Sequence, residues 1–243
     1  MHARRIGLLL PSSNSVQEPE FYRALPEGFT LHCTRLFLEN IEANSTLKIG
    51  EQVVDGAKRL AHADVDIIVL AATAPSSRLG LGYDRELIAR ISDASGKPAT
   101  TAATALIEAL AELRAKQIVL GAPWSDDVNR TTANFIEQNG VKVLGQRALG
   151  LVANLEVGRL DAQTAYQVGT EIVRADADAV MLACGNWSTF PIIEKLEAAI
   201  GKPVLTTNQV SLWHVFRLLA APPIRNLGML MSDHLGVHTA AAE

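Results

Sequence analysis

Cysteine is scarce in this chain: its 243 residues include only two, Cys33 and Cys184. Two cysteines so far apart cannot build a disulfide framework, and their spacing fits no metal site. Since a protein without disulfides has no need of an oxidising environment, we expect a reducing, cytoplasmic compartment.

An excess of charge and a long apolar run are also missing. Lys and Arg number 22 and Asp and Glu 26, which gives a formal net charge of −4 and argues against a nucleic-acid partner. No stretch approaches the roughly 20 apolar residues of a membrane span. The N-terminal run "IGLLL" is too short for a signal-peptide core. We therefore expect a soluble protein without nucleic-acid or membrane partners.

Motifs for common cofactors are absent as well. No GxGxxG follows a predicted strand, and no GxxxxGK[ST] occurs. The sequence therefore predicts neither a metal nor a nucleotide cofactor.

What the chain does contain is an alternation of short apolar runs and amphipathic helical stretches. The apolar runs are continuous, as expected for parallel strands that are covered on both faces. They predict eight strands, at residues 6–10, 30–36, 67–71, 98–101, 117–121, 142–145, 179–183 and 203–206. Strand–helix alternation of this kind predicts an α/β fold built from βαβ units.

The two halves of the sequence repeat each other. "DVDIIVLAAT" from position 64 aligns with "DADAVMLACG" from position 176, and "IGLLLPSSN" aligns with "IVLGAPWSD" at the same offset. "GKPATTAATALIEAL" also matches "GKPVLTTNQVSLWHV". We therefore expect two similar four-stranded domains. The first is residues 1–112, joined by a C-terminal segment 221–243, and the second is residues 113–220.

Ligands of open parallel sheets bind beyond the carboxyl ends of the strands. If the two domains face each other, Ala72 lies opposite Cys184 across one shared cleft. Four segments of this sequence follow predicted strand ends and would meet there: 11–14, 73–77, 123–126 and 184–188.

Cys184 is the candidate catalytic residue. It ends a buried strand, and Ser188 or Thr189 can cap a helix that would begin at Pro191. A thiol beside a helix N-terminus has a lowered pKa, which favours the reactive thiolate. The alternative interpretation is a small buried hydrophobic side chain, which we assign to Cys33 because it lies inside a strand.

Polar groups at the same edge suit an anionic ligand. "PSSNS" offers the hydroxyl of Ser12, the amide of Asn14 and backbone N–H groups to a carboxylate. "ATAPSS" offers Thr73 and further N–H donors, and Asn154 lies where a helix begins. An ordinary helix cap is the alternative for each of these segments.

Two tryptophans, Trp124 and Trp187, lie just past strand ends. A core position is ordinary for tryptophan, but two at one edge predict an apolar wall of the cleft.

Taken together, these segments resemble the aspartate/glutamate racemase superfamily, in particular its branch of maleate cis–trans isomerases and arylmalonate decarboxylases. The resemblance covers nearly the whole chain and is carried by "GLLLPSSN", "VLAATAPSS", "APWSDDVN", "ANLEVGRL", "LACGNWSTF" and "GKPVLTTNQVSLW". It implies two pseudo-symmetric flavodoxin-like domains, an active site between them, and cofactor-free chemistry at the carbon next to a carboxylate. With Cys184 as the catalytic residue, the implied substrate-binding residues are Ser12, Asn14, Ala72, Thr73, Ala74, Trp124, Asn154, Gly185 and Asn186.

The cysteine count separates the activities of this branch. The resemblance implies a cysteine at both strand ends in racemases and maleate isomerases, but only the second cysteine in arylmalonate decarboxylases. Ala72 and Cys184 follow the decarboxylase pattern, so we expect loss of CO2 from a disubstituted malonate and protonation of one face by Cys184. Two alternatives stay open: an isomerase or racemase that uses other groups, and a carboxylate-binding protein without catalysis.

Some positions depart from the decarboxylase pattern. Trp124 stands where the branch usually has tyrosine, and Thr73-Ala74 where it usually has a Thr-Ser pair, so two hydroxyl donors are missing. Asn14 and Asn154 resemble the maleate isomerase version of the carboxylate site. The expected ligand is a small carboxylate or dicarboxylate, and the chain fits a monomer or a homodimer.

Overall fold

The computed structural model describes residues 3–235, which form eight strands and eleven α-helices. The strands are β1 (Arg4–Pro11), β2 (Phe29–Leu36), β3 (Ile67–Leu70), β4 (Ala99–Thr101), β5 (Gln117–Trp124), β6 (Lys142–Leu151), β7 (Ala179–Leu182) and β8 (Val204–Thr206). The helices are α1 (Gln17–Ala24), α2 (Ala43–His62), α3 (Thr73–Ser77), α4 (Tyr83–Ser95), α5 (Ala102–Glu112), α6 (Asp126–Gln138), α7 (Asn154–Val157), α8 (Ala162–Ile172), α9 (Ile193–Ile200), α10 (Thr207–Leu218) and α11 (Gly228–Asp233). A 3-10 turn (Phe190–Ile192) precedes α9.

The strands form two parallel four-stranded sheets of the same topology. The first sheet has the order β2-β1-β3-β4 and the second β6-β5-β7-β8. The predicted α/β fold with two pseudo-symmetric sheets flanked by helices is therefore confirmed. The inner strands β3 and β7 are fully buried, which explains their continuous apolar sequences.

Strand β6 is longer than the sequence predicted, because it continues beyond position 145 to Leu151. It is an edge strand with partly exposed residues, so its second half lacks the continuous apolar pattern that marks a buried strand. It pairs with β5 through irregular register, and Trp124 pairs with Leu151. This extension carries the chain towards the carboxyl end of the second sheet.

The repeat seen in the sequence corresponds to equivalent positions in the two sheets. Ala71 and Ala183 each donate a backbone N–H to the first strand of their own sheet, at 3.1 and 2.8 Å. The next residue is Ala72 in one half and Cys184 in the other. The two residues thus lie at equivalent strand ends, as the offset of the repeat predicts.

The repeated segments that begin with "GKP" have matching helix caps in the two halves. Gly96 and Gly201 end α4 and α9 with φ of 68° and 67°, in the left-handed region that favours glycine. Thr101 and Thr206 then cap α5 and α10 with their side-chain oxygens. Each sheet thus passes from glycine to strand to capped helix in the same way.

Helix α10 joins the two halves. It follows β8 of the second sheet but packs against α5, β3 and β4 of the first. Phe216 of α10 stacks on Phe29, with ring centroids 4.8 Å apart, and His214 lies 2.9 Å from the hydroxyl of Thr100. The halves therefore share a continuous buried core.

The described part of the C-terminal segment contains helix α11, which packs against β8, α9 and α10. Glu197 of α9 accepts the N–H of Met229 at 2.9 Å, and Gln209 donates to the carbonyl of Leu227 at 2.7 Å. A contact to the first half joins Nδ1 of His234 and a carboxylate oxygen of Glu112, which are 3.6 Å apart. Residues 236–243 of the predicted segment lie outside the described residues.

No helix among residues 3–235 combines the length and the apolar character that a membrane crossing requires.

The matched caps give a test of the repeat. Thr206→Ala removes the acceptor of the Gln209 N–H and one half of a capping box, so we expect the free energy of unfolding to fall by about 1–2 kcal/mol. Thr101→Ala removes a single capping bond, to Thr104, and should cost about 1 kcal/mol. Urea denaturation measures both, and two variants as stable as the natural chain would contradict the assignment.

Candidate active site

The loops that follow the strands of both sheets line one cavity of about 30 Å³. Its lining residues are Pro11, Asn14, Leu38, Ile41, Thr46, Ala71, Ala72, Thr73, Ala74, Pro75, Trp124, Asn154, Cys184, Gly185 and Asn186. None of these residues is charged, so the polar part of the cavity consists of amides, hydroxyls, a thiol and backbone groups. The structure thus brings nine of the ten sequence-predicted residues together, all except Ser12.

Ser12 lies outside this cavity and lines a neighbouring surface groove. Its hydroxyl accepts the backbone N–H of Leu38 at 3.1 Å. It therefore holds the chain that follows β2, and Leu38 in turn lines the cavity.

The segment after β2 is a part of the site that the sequence analysis missed. It supplies Leu38, Ile41 and Thr46 to the lining. Its position depends on pairing with the second half, where the N–H of Ile41 donates to the carbonyl of Val152 at 2.8 Å. Such long-range pairing of two loops leaves no local signal in the sequence.

Cys184 lies in the cavity wall and is only 5% exposed. Its φ of 152° is a conformation that non-glycine residues rarely adopt, whereas Ala72 has an ordinary extended φ of −142°. The backbone N–H of Cys184 donates to the hydroxyl of Thr207 at 3.0 Å. The two pseudo-symmetric strand ends thus differ in backbone conformation as well as in side chain.

The predicted low pKa of Cys184 is wrong. Burial raises the pKa of this thiol to about 12, and a hydrogen bond from the Asn186 backbone opposes the shift only in part. No helix begins beside it, since the next helical turn is Phe190–Ile192 and has three residues. Cys184 is therefore a neutral thiol, suited to donating a proton.

A buried carboxylate holds the loop that follows Cys184. Glu20 accepts the N–H groups of Thr189 and Phe190 at 2.9 and 3.1 Å, in place of the cap expected from within the loop. It also accepts from the amide of Asn208 at 2.7 Å, and that amide donates to the carbonyl of Gly185 at 3.2 Å. Burial raises the pKa of Glu20, while these hydrogen bonds favour the charged carboxylate.

Gly185 has no room for a side chain. A Cβ at this position would lie 2.9 Å from the amide nitrogen of Gln17 and 3.2 Å from the carbonyl oxygen of Ala71. The glycine after Cys184 is thus required by close packing between the halves.

Three asparagines contribute amides around the cavity. Asn186 accepts the N–H of Ser15 at 2.8 Å and donates to the carbonyl oxygen and side-chain oxygen of Asn154, at 2.6 and 3.2 Å. Asn154 donates to the hydroxyl of Ser13 at 2.8 Å. Asn154 and Asn186 therefore tie loops of the two halves together as well as lining the cavity.

Asn14 has both of the roles predicted for it from the sequence, since it caps a helix and also offers its amide to a ligand. Its side-chain oxygen accepts the N–H groups of Val16 and Gln17, at 3.0 and 2.9 Å, where α1 begins. Its amide nitrogen makes no hydrogen bond within residues 3–235, so two N–H donors remain for a ligand in the cavity.

Thr73 and Thr207 form a buried hydroxyl pair, with the two oxygens 2.8 Å apart. Thr73 lines the cavity, and Thr207 lies behind it at 0% exposure. The sequence analysis missed Thr207. Its counterpart in the repeat is Ala102. Comparison of the two repeats, which singled out Cys184 because its counterpart is Ala72, could therefore have identified Thr207 as well.

The two tryptophans have different positions. Trp124 lines the cavity, and its indole N–H donates to the side-chain oxygen of Asn129 at 3.2 Å. The bond occupies the polar atom of the indole, so Trp124 adds apolar surface to the cavity. Trp187 is buried and is not a lining residue, so the predicted apolar wall contains Trp124 without it.

Among residues 3–235, no group of three or more His, Cys, Asp or Glu side chains is arranged to hold a metal ion.

The sequence matches the family model described as arylmalonate decarboxylase over residues 6–229. The chain belongs to the arylmalonate decarboxylase family. A maleate isomerase of Pseudomonas putida is 30% identical to it, over 90% of this chain and 93% of the relative. An arylmalonate decarboxylase of Bordetella bronchiseptica is 26% identical, over 88% of this chain and 89% of the relative. The resemblance stated from the sequence is therefore confirmed, and the relatives divide between two activities.

Solved structures of the family show the same division. A maleate isomerase variant of Pseudomonas putida S16, solved with maleate, has a TM-score of 0.92 at 25% identity, over 96% of this chain and 100% of that chain. A liganded arylmalonate decarboxylase variant has a TM-score of 0.88 at 25% identity, over 95% of this chain and 100% of that chain. Similarity alone thus places the chain in an enzyme family whose members act on small carboxylates, without selecting the reaction.

The raised pKa of Cys184 gives a direct test of the site. A thiol with a pKa of about 12 stays protonated at neutral pH, so its rate of alkylation by iodoacetamide should still be rising at pH 10. The extent of alkylation at each pH is measured by mass spectrometry of the Cys184 peptide, with glutathione as the reference thiol. A rate that reaches its plateau below pH 9 would contradict the assignment.

Proposed function

We propose that this chain is a cofactor-independent decarboxylase of disubstituted malonates, in which Cys184 protonates one face of the enediolate. The observation that carries the proposal is the asymmetry of the two strand ends. Cys184 lines the cavity with a thiol that carries a proton, and Ala72, at the equivalent strand end, lines it with only a methyl group. Proton exchange on two faces needs an acid and a base on opposite sides, and alanine can be neither.

The protonation state of Cys184 supports the same reaction. A buried thiol with a pKa near 12 is a proton donor rather than a nucleophile at neutral pH. Covalent attack on a double bond from the Ala72 side is chemically impossible, since alanine has no nucleophilic atom. The remaining role for the thiol is one-sided proton delivery.

The cavity has groups for both carboxylates of a malonate. Thr73 and Asn14 can donate hydrogen bonds to the carboxylate that remains, and they stabilise the enediolate as its negative charge develops. We place the departing carboxylate against apolar lining residues such as Trp124, Pro75 and Leu38. Poor solvation there favours its loss as neutral CO2.

In the proposed reaction, the bond from the α-carbon to one carboxylate breaks and CO2 leaves. The electron pair of that bond stays with the remaining carboxylate as an enediolate. The S–H bond of Cys184 then breaks and its proton goes to the α-carbon. Water returns a proton to the thiolate. Because an aryl-substituted malonate exceeds a cavity of about 30 Å³, the cavity must widen when such an acid binds.

A related protein supports the assignment of the two positions. In the arylmalonate decarboxylase variant solved with ligand, a natural glycine is replaced by cysteine and a natural cysteine by serine, at positions 114 residues apart. The natural decarboxylase thus combines one cysteine with a residue that lacks a functional group. Ala72 and Cys184 offer the same combination at a similar separation.

Maleate isomerisation is the second candidate. It is favoured by the 30% identical relative from Pseudomonas putida and by the amides of Asn14 and Asn154 in the cavity. A panel of malonates and of maleate, assayed for released CO2 and for fumarate, distinguishes the reactions. Fumarate formation without CO2 release would overturn the proposal, and binding without turnover of either acid would point to a carboxylate-binding protein.

Replacing the proton donor tests the role of Cys184. In Cys184→Ser we expect release of CO2 from methylphenylmalonate to fall by about 10²–10⁴-fold, because an alcohol is a much weaker acid than a thiol. Cys33→Ser, in strand β2, is the matched control and should keep the natural rate. Equal rates for the natural chain and Cys184→Ser would show that another group delivers the proton.

Adding a thiol on the opposite face tests the asymmetry. Ala72→Cys should allow proton exchange on both faces, so the natural chain yields one enantiomer and the variant a mixture. Chiral chromatography of the product measures the ratio of enantiomers. Incubation of the isolated product with each chain in D2O measures the exchange of its α-hydrogen. A racemic product from the natural chain would contradict one-sided protonation.

A further inference from the structure

The hydroxyl of Thr207 lies where two parts of the site meet. Its oxygen is 3.0 Å from the backbone nitrogen of Cys184 and 2.8 Å from the hydroxyl oxygen of Thr73. Thr207 is 0% exposed and is not one of the residues that line the cavity. Any effect on a ligand therefore passes through Cys184 or Thr73.

The directions of these two hydrogen bonds follow from the donors available. A backbone N–H can only donate, so the Thr207 oxygen accepts from Cys184. The Thr207 proton then needs an acceptor, and Thr73 is the one its hydroxyl has among residues 3–235. A buried hydroxyl without an acceptor is costly, so Thr207 donates to Thr73.

This direction decides what Thr73 can do. Its oxygen accepts from Thr207 and makes no other hydrogen bond within residues 3–235, so its own proton is left over. Because Thr73 lines the cavity, the proton is available to a ligand there, and an anion is the ligand that uses it best.

We propose that Thr207 is a positioning residue that makes Thr73 an obligate hydrogen-bond donor to a bound carboxylate and anchors the backbone of Cys184. The inference depends on the proposed function only in taking a carboxylate as the ligand. One side chain of the second half thus links the thiol of the same half to Thr73 of the first half.

The repeat supports a specific role over generic packing. Ala102, the counterpart of Thr207, begins α5 as Thr207 begins α10, so a threonine is not needed to start this helix. Cys184 also has the unusual φ of 152°, and its N–H finds the acceptor that Thr207 provides. At this pair of equivalent positions, the hydroxyl occurs only in the half that carries the Cys184 thiol.

A double-mutant cycle on carboxylate binding tests the inference. The probe is phenylacetate, which has one carboxylate, and its Kd is measured by isothermal titration calorimetry. We expect Thr73→Val to weaken binding about 10- to 100-fold, since a hydrogen bond to a charged group is lost. Thr207→Val should weaken it about 3- to 10-fold in the natural chain and have no effect in the Thr73→Val chain.

Controls separate positioning from stability. Thr207→Ser keeps the hydroxyl and should bind within about 3-fold of the natural chain. Thr132→Val alters a buried threonine of α6 and should lower the melting temperature without changing the Kd. Thr207→Ala, which copies Ala102, replaces Thr207→Val if that variant does not fold.

The outcomes distinguish this inference from the proposed function. If Thr207→Val weakens phenylacetate binding equally in the natural chain and in the Thr73→Val chain, the positioning role is overturned. It is also overturned if Thr207→Val binds phenylacetate with the Kd of the natural chain. If the double-mutant cycle gives the expected Kd values but the natural chain releases no CO2 from any malonate, the role of Thr207 is sustained and the proposed decarboxylase activity is overturned. A natural chain that binds neither phenylacetate nor maleate would overturn both.

Discussion

The site depends on the hydrogen bonds that tie the loop after β7 to the first half of the chain. Asn186 accepts the N–H of Ser15, and Glu20 accepts two backbone N–H groups at the far end of the same loop. Buried backbone donors must find acceptors, so this loop has its observed shape only when both halves are folded and in contact. Cys184 begins the loop, and its position is therefore a property of the whole molecule.

A neutral cavity is a consequence of this construction. Charged residues near the site, such as Glu20, lie behind the loop and are used in holding it. The lining offers uncharged donors and a thiol with a raised pKa. Such a site binds an anion through hydrogen bonds and keeps the proton of Cys184 available, whereas a cation beside the thiol would favour thiolate. Neutrality thus favours acid catalysis over nucleophilic attack.

The sequence predicts what is local and repeated. Continuous apolar runs identified all eight strands, and the repeat placed Ala72 and Cys184 at equivalent strand ends, because parallel topology fixes where strand ends lie. Contacts between distant segments could not be predicted. The raised pKa of Cys184 comes from burial by both halves, and the outward position of Ser12 comes from its bond to Leu38.

Pseudo-symmetry explains why a few substitutions are enough to give the site a direction. Two identical halves would present the same group to both faces of a planar intermediate, and proton transfer would have no preferred side. Here the sheet topology stays the same, while Cys184 and Thr207 in one half correspond to Ala72 and Ala102 in the other. The proposed proton donor, Cys184, and the proposed positioning residue, Thr207, thus lie together in one half. The architecture is shared by enzymes of more than one activity, so the fold alone does not select the reaction.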